Sequence, residues 1–425
     1  MTARDGKTLL DHLATDLSGD TAPIGPYHDR ARPPAETLSA MRALLPDLGI
    51  TRIGLLTGLD VIGIPVAFAT RPNSHSLSVF QGKGLDIDAA MTSAAMEAFE
   101  TAVAERQPAD LVNESLASAQ RSGSRLLDLE RTARCVPEAI EPARAMPWIE
   151  GLDLASGERV RVPWWLAGLD HREPRPSGFE QSSDGLASGN TLVEATFHGL
   201  CELIERDAWT LMLLRSNEAL AALRVDPRSL GDAVLDTLVD RIERAGFDLF
   251  LADMSSDLAV PAYAAVLVPR ALPRACDVAW SQICGGYGCH PLPARAAIRA
   301  VTEAAQTRLT LIAGSRDDLT PRQYRPSGTG GSSLAETLAL IGAPRRPACR
   351  APFGGAGDTI QARLRAMVAR LGAAGLGEVV VVPIARHASG AAVVRVLVPG
   401  LEVGLDGRNV QLGIRAARQI MKVAA

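Results

Sequence analysis

The sequence predicts an α/β fold: a single unit of mixed sheets and helices with sub-lobes. Apolar runs of strand length alternate with longer helical patterns through most of the 425 residues. No charged or Ser/Pro-rich linker divides them cleanly, and no repeat period is evident. At 47% hydrophobic content the chain can bury a large core. Residues 1–36, ending in the Pro-rich "APIGPYHDRARPPAE", read as an N-terminal extended arm, and 37–425 as one domain.

In chain order, "TRIGLL", "IPVAFAT" and "SLSVF" between 51 and 80 are strands separated by turns. A helix follows over about 88–106. "RVRVPWWLAG" (159–168) is a strand, and the Gly/Ser stretch "SSDGLASGN" leads into a long helix over 189–209. Then come a helix near 232–245, strands "FDLFLAD" and "AYAAVLV", a Gly-rich turn "CGGYGCHPLP", and a helix over about 294–313. Gly, Pro and Arg make 315–357 a long loop. A helix at 358–373, strands "EVVVVPIA" and "AAVVRVLVPG", and a short terminal helix complete the chain.

Three of these helices carry polar stripes on otherwise apolar surfaces. At about 100° per residue, with Asn190 as reference, Glu194 lies about 40° round, Glu205 about 60°, Glu202 about 120° and Arg206 about 160°. Like charges on one helical face repel, so this face meets water or a cation. Ser93, Glu97 and Glu100 stack at i, i+4 and i+7 on the first helix. Arg295, Arg299, Glu303 and Gln306 share a stripe on the third, while Arg308 points away from Arg299 and reads as a buttress. Each stripe alone is a common surface pattern. If the three converge, they supply carboxylates for hard divalent cations and arginines for phosphates, the inventory of a magnesium–nucleotide site.

Composition narrows the function classes. A net charge of −4 gives no basic footprint for nucleic acid. No apolar run reaches membrane-span length and no signal peptide is present, so a cytoplasmic protein is expected. The six cysteines are scattered, without paired metal-site spacing. Of 44 basic residues only Lys7, Lys83 and Lys422 are lysines. Lys83, between two glycines in "QGKG", reads as a turn lysine that can reach a phosphate. No GxxxxGK[ST] loop, no GxGxxG after a strand, no GxSxG and no HExxH occurs, so a nucleotide must be held by some other architecture.

The pattern resembles the YcaO family. "SxxxExxE" at 93–100, "GNTxxEAxxxGLxExxERDA" at 189–208 and "RAxTEAAQTR" at 299–308 stand in that family's order. "GITR" (49–52), "GKG" (82–84) and "VPGLE" (398–402) are similar to its recurring segments, so the likeness covers about 35–410. The resemblance implies that 37–425 is a catalytic domain with a non-P-loop ATP site. It implies ATP and Mg2+ as cofactors, with Glu97, Glu100, Glu194, Glu202 and Glu205 as metal ligands. Ser93, Asn190, Arg206, Arg299, Glu303 and Gln306 would contact the nucleotide, and Glu205, Arg206 and Lys83 would serve the chemistry. That chemistry is activation of a peptide backbone amide by O-phosphorylation. The segment 49–84 looks like members associated with a TfuA partner, which implies a thioamide product. The ending "GIRAARQIMKVAA", without a PxPxP tail, and the short N-terminal segment, with no room for a leader-binding domain, depart from azoline-forming members. A peptide or protein substrate, a TfuA-type partner and a homodimer are implied. The rival readings are an azoline-forming cyclodehydratase, a small-molecule ATP-dependent kinase or ligase, and a non-catalytic ATP-binding accessory.

Overall fold

The computed structural model describes residues 7–19, 27, 29–172, 176–271, 282–325, 342–353, 359–403 and 412–424. Within them the strands form three sheets. The first is antiparallel, β1 (Arg52–Leu55), β2 (Val66–Thr70) and β3 (Val79–Lys83), in that order. A second contains β4 (Val112–Ser115), β5 (Ala145–Asp153), β6 (Arg159–Pro163) and β7 (Leu186–Gly189), together with the late strands β13 (Val380–Arg386) and β14 (Ala392–Leu397). Its order is β4-β5-β13-β14-β7, with β6 paired to β5. The third runs β11 (Cys284–Cys289), β10 (Ala262–Pro269), β9 (Phe247–Asp253), β8 (Arg224–Asp226) and β12 (Arg346–Pro347). β13 and β14 close a sheet opened more than two hundred residues earlier. The sub-lobes are therefore interlocked, as the lack of linkers suggested.

The helices are α1 (Leu9–Ser18), α2 (Pro34–Arg42), α3 (Ile87–Ala104), the short α4 (Leu116–Arg121) and α5 (Trp164–Ala167), α6 (Leu192–Leu213), α7 (Asn217–Ala221), α8 (Ala233–Arg244) and α9 (Pro293–Ala313); two more span Ile360–Ala373 and Ile414–Ala424. The three striped helices each follow an edge strand: β3 leads into α3, β7 into α6 and β11 into α9. Successive strand residues point to opposite faces, and each of these strands uses that alternation to touch two helices. On β3, Gly82 faces α3, and a Cβ there would lie 2.1 Å from Ala94 N. Its neighbours face α9: Gln81 bonds Thr310, and Lys83 pairs with Glu303. On β11, Gly286 and Gly288 press against α9, where a Cβ would meet Ala304 N and Ala296 O at 2.2 Å. Tyr287 turns to α6 and packs on Trp209, ring centroids 5.1 Å apart. On β7, Gly189 abuts α6 at Ala195 N, while Ser188 Oγ donates to Met96 O of α3 at 3.2 Å. The result is a closed ring of alternating strands and helices, with the polar stripes directed inward.

Several sequence expectations are corrected. The N-terminal segment is not an extended arm along its described length. α1 is a helix with a Thr8–Asp11 capping box, and it buries Leu10 and Leu13. α2 begins at Pro34, with Pro at its first position, and buries Leu38 and Met41. Both helices are short, ten and nine residues, and flank a Pro-rich stretch, which hid them. The Gly-rich "turn" 284–293 contains β11, and "SSDGLASGN" contains β7. Gly286, Gly288 and Gly189 mark helix–strand contact, whereas Gly185, with φ +74, makes the turn before β7. For the same reason Lys83 ends a strand and does not sit in a turn. Of the loop expected over 315–357, residues 326–341 and 354–357 lie outside the described residues, as do 358 of the following helix and 1–6, 20–26 and 28 of the arm.

Candidate active site

α3, α6 and α9 start where their caps place them. Asp86 accepts from Ala89 N at 2.7 Å and Thr191 from Glu194 N at 3.1 Å, and Pro293 opens α9. From these starts the stripes run into the ring. Glu97 and Glu100 come from α3, Glu202, Glu205 and Arg206 from α6, Arg299 and Glu303 from α9, and Lys83 from the end of β3.

Their electrostatics record the crowding. Burial pushes Glu97 up to about 7. Burial, then the charges of Glu202 and Glu97, carries Glu100 well above the ordinary carboxyl range. Glu202 rises to about 7, through burial and despite Arg206. Glu205 is raised by burial and then by Glu303. Glu303 is different: burial raises it, but Lys83 and Arg206 outweigh that and hold it below its usual value. Arg206 reaches Asp184 Oδ1 and Glu202 Oε1, each at 3.6 Å, and its guanidinium is held charged by this acidic surround. Glu205 Oε2 accepts from Cys289 N at 2.9 Å, and Glu303 Oε1 from Tyr287 N at 3.2 Å. Burial and neighbouring carboxylates push all four carboxyls toward their neutral forms, so a cation bound among them would be stabilised.

All of the donors are carboxylate oxygens, the ligand type magnesium takes, so the residues fit that metal. Among the described residues no three His, Cys, Asp or Glu side chains are yet gathered at one metal-binding point. Glu202 is paired with Arg206 and Glu205 with the Cys289 amide, so a metal would draw these two from those partners.

Glu194 and Asn190 stand apart from this cluster. Glu194 precedes Glu202 by eight residues, about 12 Å along the helix, and it is 1% exposed. Its oxygens take bonds from Arg30 Nη1 (3.0 Å), Ala31 N (2.9 Å) and Asn190 Nδ2 (3.2 and 3.3 Å). Asn190 Oδ1 accepts from Thr37 Oγ1 at 2.8 Å. Ser93 lies one turn before Glu97, and Gln306 one turn after Glu303, both partly exposed. Arg308 is the expected buttress: its Nε meets Asp60 at 3.2 Å, and its guanidinium lies 4.6 Å over the Phe247 ring.

Sequence reasoning missed Asp184, Arg395, Asp29 and Arg30. Arg395 is 1% exposed in β14, donates to Ala167 O and Asp184 O, and is lowered by burial to about 10. Its charge acts on Glu100 and Glu202, and it lines a small cavity with Arg134, Asp184, Leu203 and Leu401. A lone arginine within the apolar run "AVVRVL" was the available signal, because a buried charge needs partners.

Residues 81–402 match the family described as YcaO cyclodehydratase, ATP- and Mg2+-binding. The chain belongs to the YcaO family. A Rhizobium leguminosarum bv. trifolii protein described as an uncharacterized protein in the tfuA 3' region is 54% identical, over 97% of this chain and 98% of its own length. A Methanothermobacter thermautotrophicus relative is 34% identical over 92% of the chain and all of its own. Among solved structures, the YcaO protein from Methanopyrus kandleri bound with AMPPCP and Mg2+ superposes with a TM-score of 0.65 at 24% identity, covering 93% of this chain and 99% of that one. A heterocyclase in complex with substrate and cofactor gives a TM-score of 0.72 at 20% identity; it covers 95% of this chain, which spans 57% of that heterocyclase. These two likenesses carry the fold, and the α/β architecture is that of YcaO proteins. ATP and Mg2+, expected from the sequence, are the ligands by which the family is described. No helix among the described residues is long and apolar enough to cross a membrane.

Proposed function

We propose that the ring of α3, α6 and α9 binds Mg–ATP and phosphorylates the oxygen of a peptide backbone amide, leading to a thioamide. The observation that carries the ATP site is the convergence of four crowded carboxylates, Glu97, Glu100, Glu202 and Glu205, beside Lys83, Arg206 and Arg299. In this reading the carboxylates hold Mg2+, which neutralises phosphate charge. Lys83 leaves Glu303 for a phosphate oxygen. Arg206 and Arg299 face the charge that develops on the transferred group, where fixed cations act most strongly. Ser93, Asn190, Glu303 and Gln306 line the approach, and Glu194 acts from the α6 N-terminus.

The balance of the step is simple. Hydrosulfide adds to the amide carbon, and the resulting oxyanion takes the γ-phosphoryl group of ATP. The C–O bond then breaks, phosphate leaves with the former amide oxygen, and loss of the S–H proton completes C=S. The 54% identical relative, described as lying in the tfuA 3' region, supports the thioamide product and a TfuA-type partner. A second reading is favoured by the family's description as a cyclodehydratase: a substrate cysteine, serine or threonine side chain adds instead, giving an azoline. A homodimer and a cytoplasmic location complete the proposal.

The deciding experiment follows phosphate release and intact peptide mass with Mg–ATP and a candidate precursor peptide, with sulfide and a TfuA-type partner present or omitted. Exchange of one oxygen for sulfur supports thioamidation. Loss of one water selects the cyclodehydratase. Phosphate release without a change in the peptide refutes both products and leaves a different acceptor.

A further inference from the structure

The N-terminal segment inserts its residues 29–31 between the starts of α6 and α9. Asp29, 1% exposed, lies 3.3 Å from Arg295 Nη2 and 3.4 Å from His290 Nε2. Arg30 and the Ala31 amide then take both oxygens of Glu194. Two features separate this contact from ordinary packing. Glu194 is a predicted metal ligand that forms a direct ion pair with an arginine of the N-terminal segment, and the Arg30 side chain, at 40% exposure, borders water. Within reach of the Asp29 charge lie groups that the contact does not satisfy: His198 Nε2, Arg295 Nε and Arg299 Nε are buried without hydrogen-bond partners, as are Asp29 Oδ2 and His290 Nε2 of the anchor itself. A buried donor left unpaired costs its full desolvation, so the covered arrangement is poised to yield to a ligand that bonds these atoms.

We propose that Asp29–Ala31 is a strap over the nucleotide site, with the Arg30 guanidinium occupying Glu194 until Mg–nucleotide displaces it. This rests on the ATP-site reading above. Asp29 is the buried anchor and Arg30 the movable member, so displacement frees the Glu194 carboxylate without unfolding α1 or α2. Removing the competing cation raises the fraction of binding-competent protein, and the apparent affinity rises in proportion.

The test uses the full chain, wild type and Arg30→Ala, with Mg–AMPPCP as the probe. Calorimetry should show the variant binding about threefold or more tightly. Hydrogen exchange on the wild type should show the Ala31 amide, protected by Glu194 in the free protein, exchanging faster once Mg–AMPPCP is bound. Equal or weaker binding by the variant, or an Ala31 amide whose protection is unchanged or increased, overturns the strap. Absence of binding by the wild type itself removes the ATP site, and the strap with it; that outcome is distinct because it does not depend on the variant.

Discussion

Glu202→Gln should make the metal-free protein more stable while destroying its magnesium–nucleotide binding. Glu202 is raised from 4.5 to about 7 by burial among Asp184 and Glu205. Its ionisation therefore costs more in the fold than in the unfolded chain. At about 1.4 kcal/mol per pH unit the penalty approaches ~3 kcal/mol once the group is fully charged. A folded value raised above the unfolded one contributes stability that is whole below 4.5 and is lost as the pH climbs through about 7. Glutamine removes this loss but forfeits the 3.6 Å pairing with Arg206, a partly exposed contact of about 0–1 kcal/mol. The net expectation is ~2 kcal/mol of added stability at pH 8, shrinking to about 1 kcal/mol or less at pH 5. Urea unfolding in EDTA at the two pH values measures it, and calorimetry with Mg–AMPPCP measures the lost binding. A variant no more stable than wild type at pH 8 would refute the reasoning, because Arg206 would then already neutralise Glu202 and no positive charge would be missing.

Glu205→Gln should also lose Mg–ATP binding with the fold kept, since the amide oxygen can still accept from Cys289 N; unchanged affinity in calorimetry removes Glu205 from the metal set. Lys83→Ala should slow ATP consumption by about 100-fold without changing the circular dichroism melt, and an unaffected rate would leave Lys83 as a partner of Glu303 alone. Gly82→Ala places a Cβ 2.1 Å from Ala94 N and should cost about 3 kcal/mol or more in urea unfolding; a neutral effect would mean that α3 is not held against β3. Arg415→Met strands Asp207, 0% exposed and bonded by Arg415 at 2.8 Å through two nitrogens, and should cost about 3–5 kcal/mol. A smaller loss in the same assay would mean that water or a neutral Asp207 replaces the pair.

The striped faces were legible because helical periodicity is local, and Glu97, Glu100, Glu202, Glu205 and Glu303 can be counted from the chain alone. Their convergence was not, because it depends on which sheet edge each helix meets. The glycine spacing in "GKG" and "CGGYGC" did carry that information. It was read as turn chemistry, the commoner meaning of glycine, when its partner was the alanine run of the helix that follows. The Asn190–Glu194 pair was legible only in part. Its angle puts it on the side of the acidic row, but the bonds Glu194 takes from Arg30 and Ala31, 164 and 163 residues earlier in sequence, cannot be read from helical angles. Angles around a helix say which side a residue faces, not which neighbour it meets.

The ring explains how a nucleotide site can dispense with a phosphate loop. A P-loop concentrates donors in one short segment, where backbone N–H groups surround phosphate. Here no single segment is sufficient. Each helix carries only three or four stripe residues, few enough for its other faces to stay apolar and pack on a sheet. The charge density arises only when three strand–helix units close on one another. Alanine faces packed against glycine strands bring the helices together, and that contact is indifferent to charge, so it can bury four carboxyls on facing helices. The tension is visible in Glu97, Glu100, Glu202 and Glu205, all raised, and in Lys83 and Arg206, each bound to a carboxylate for want of another partner. On the proposed reading a magnesium–triphosphate would relieve both sides at once, supplying cations to the glutamates and anions to the lysine and arginine. The glycines of β3, β7 and β11 would then serve the function together with the glutamates, because they let the three helices approach.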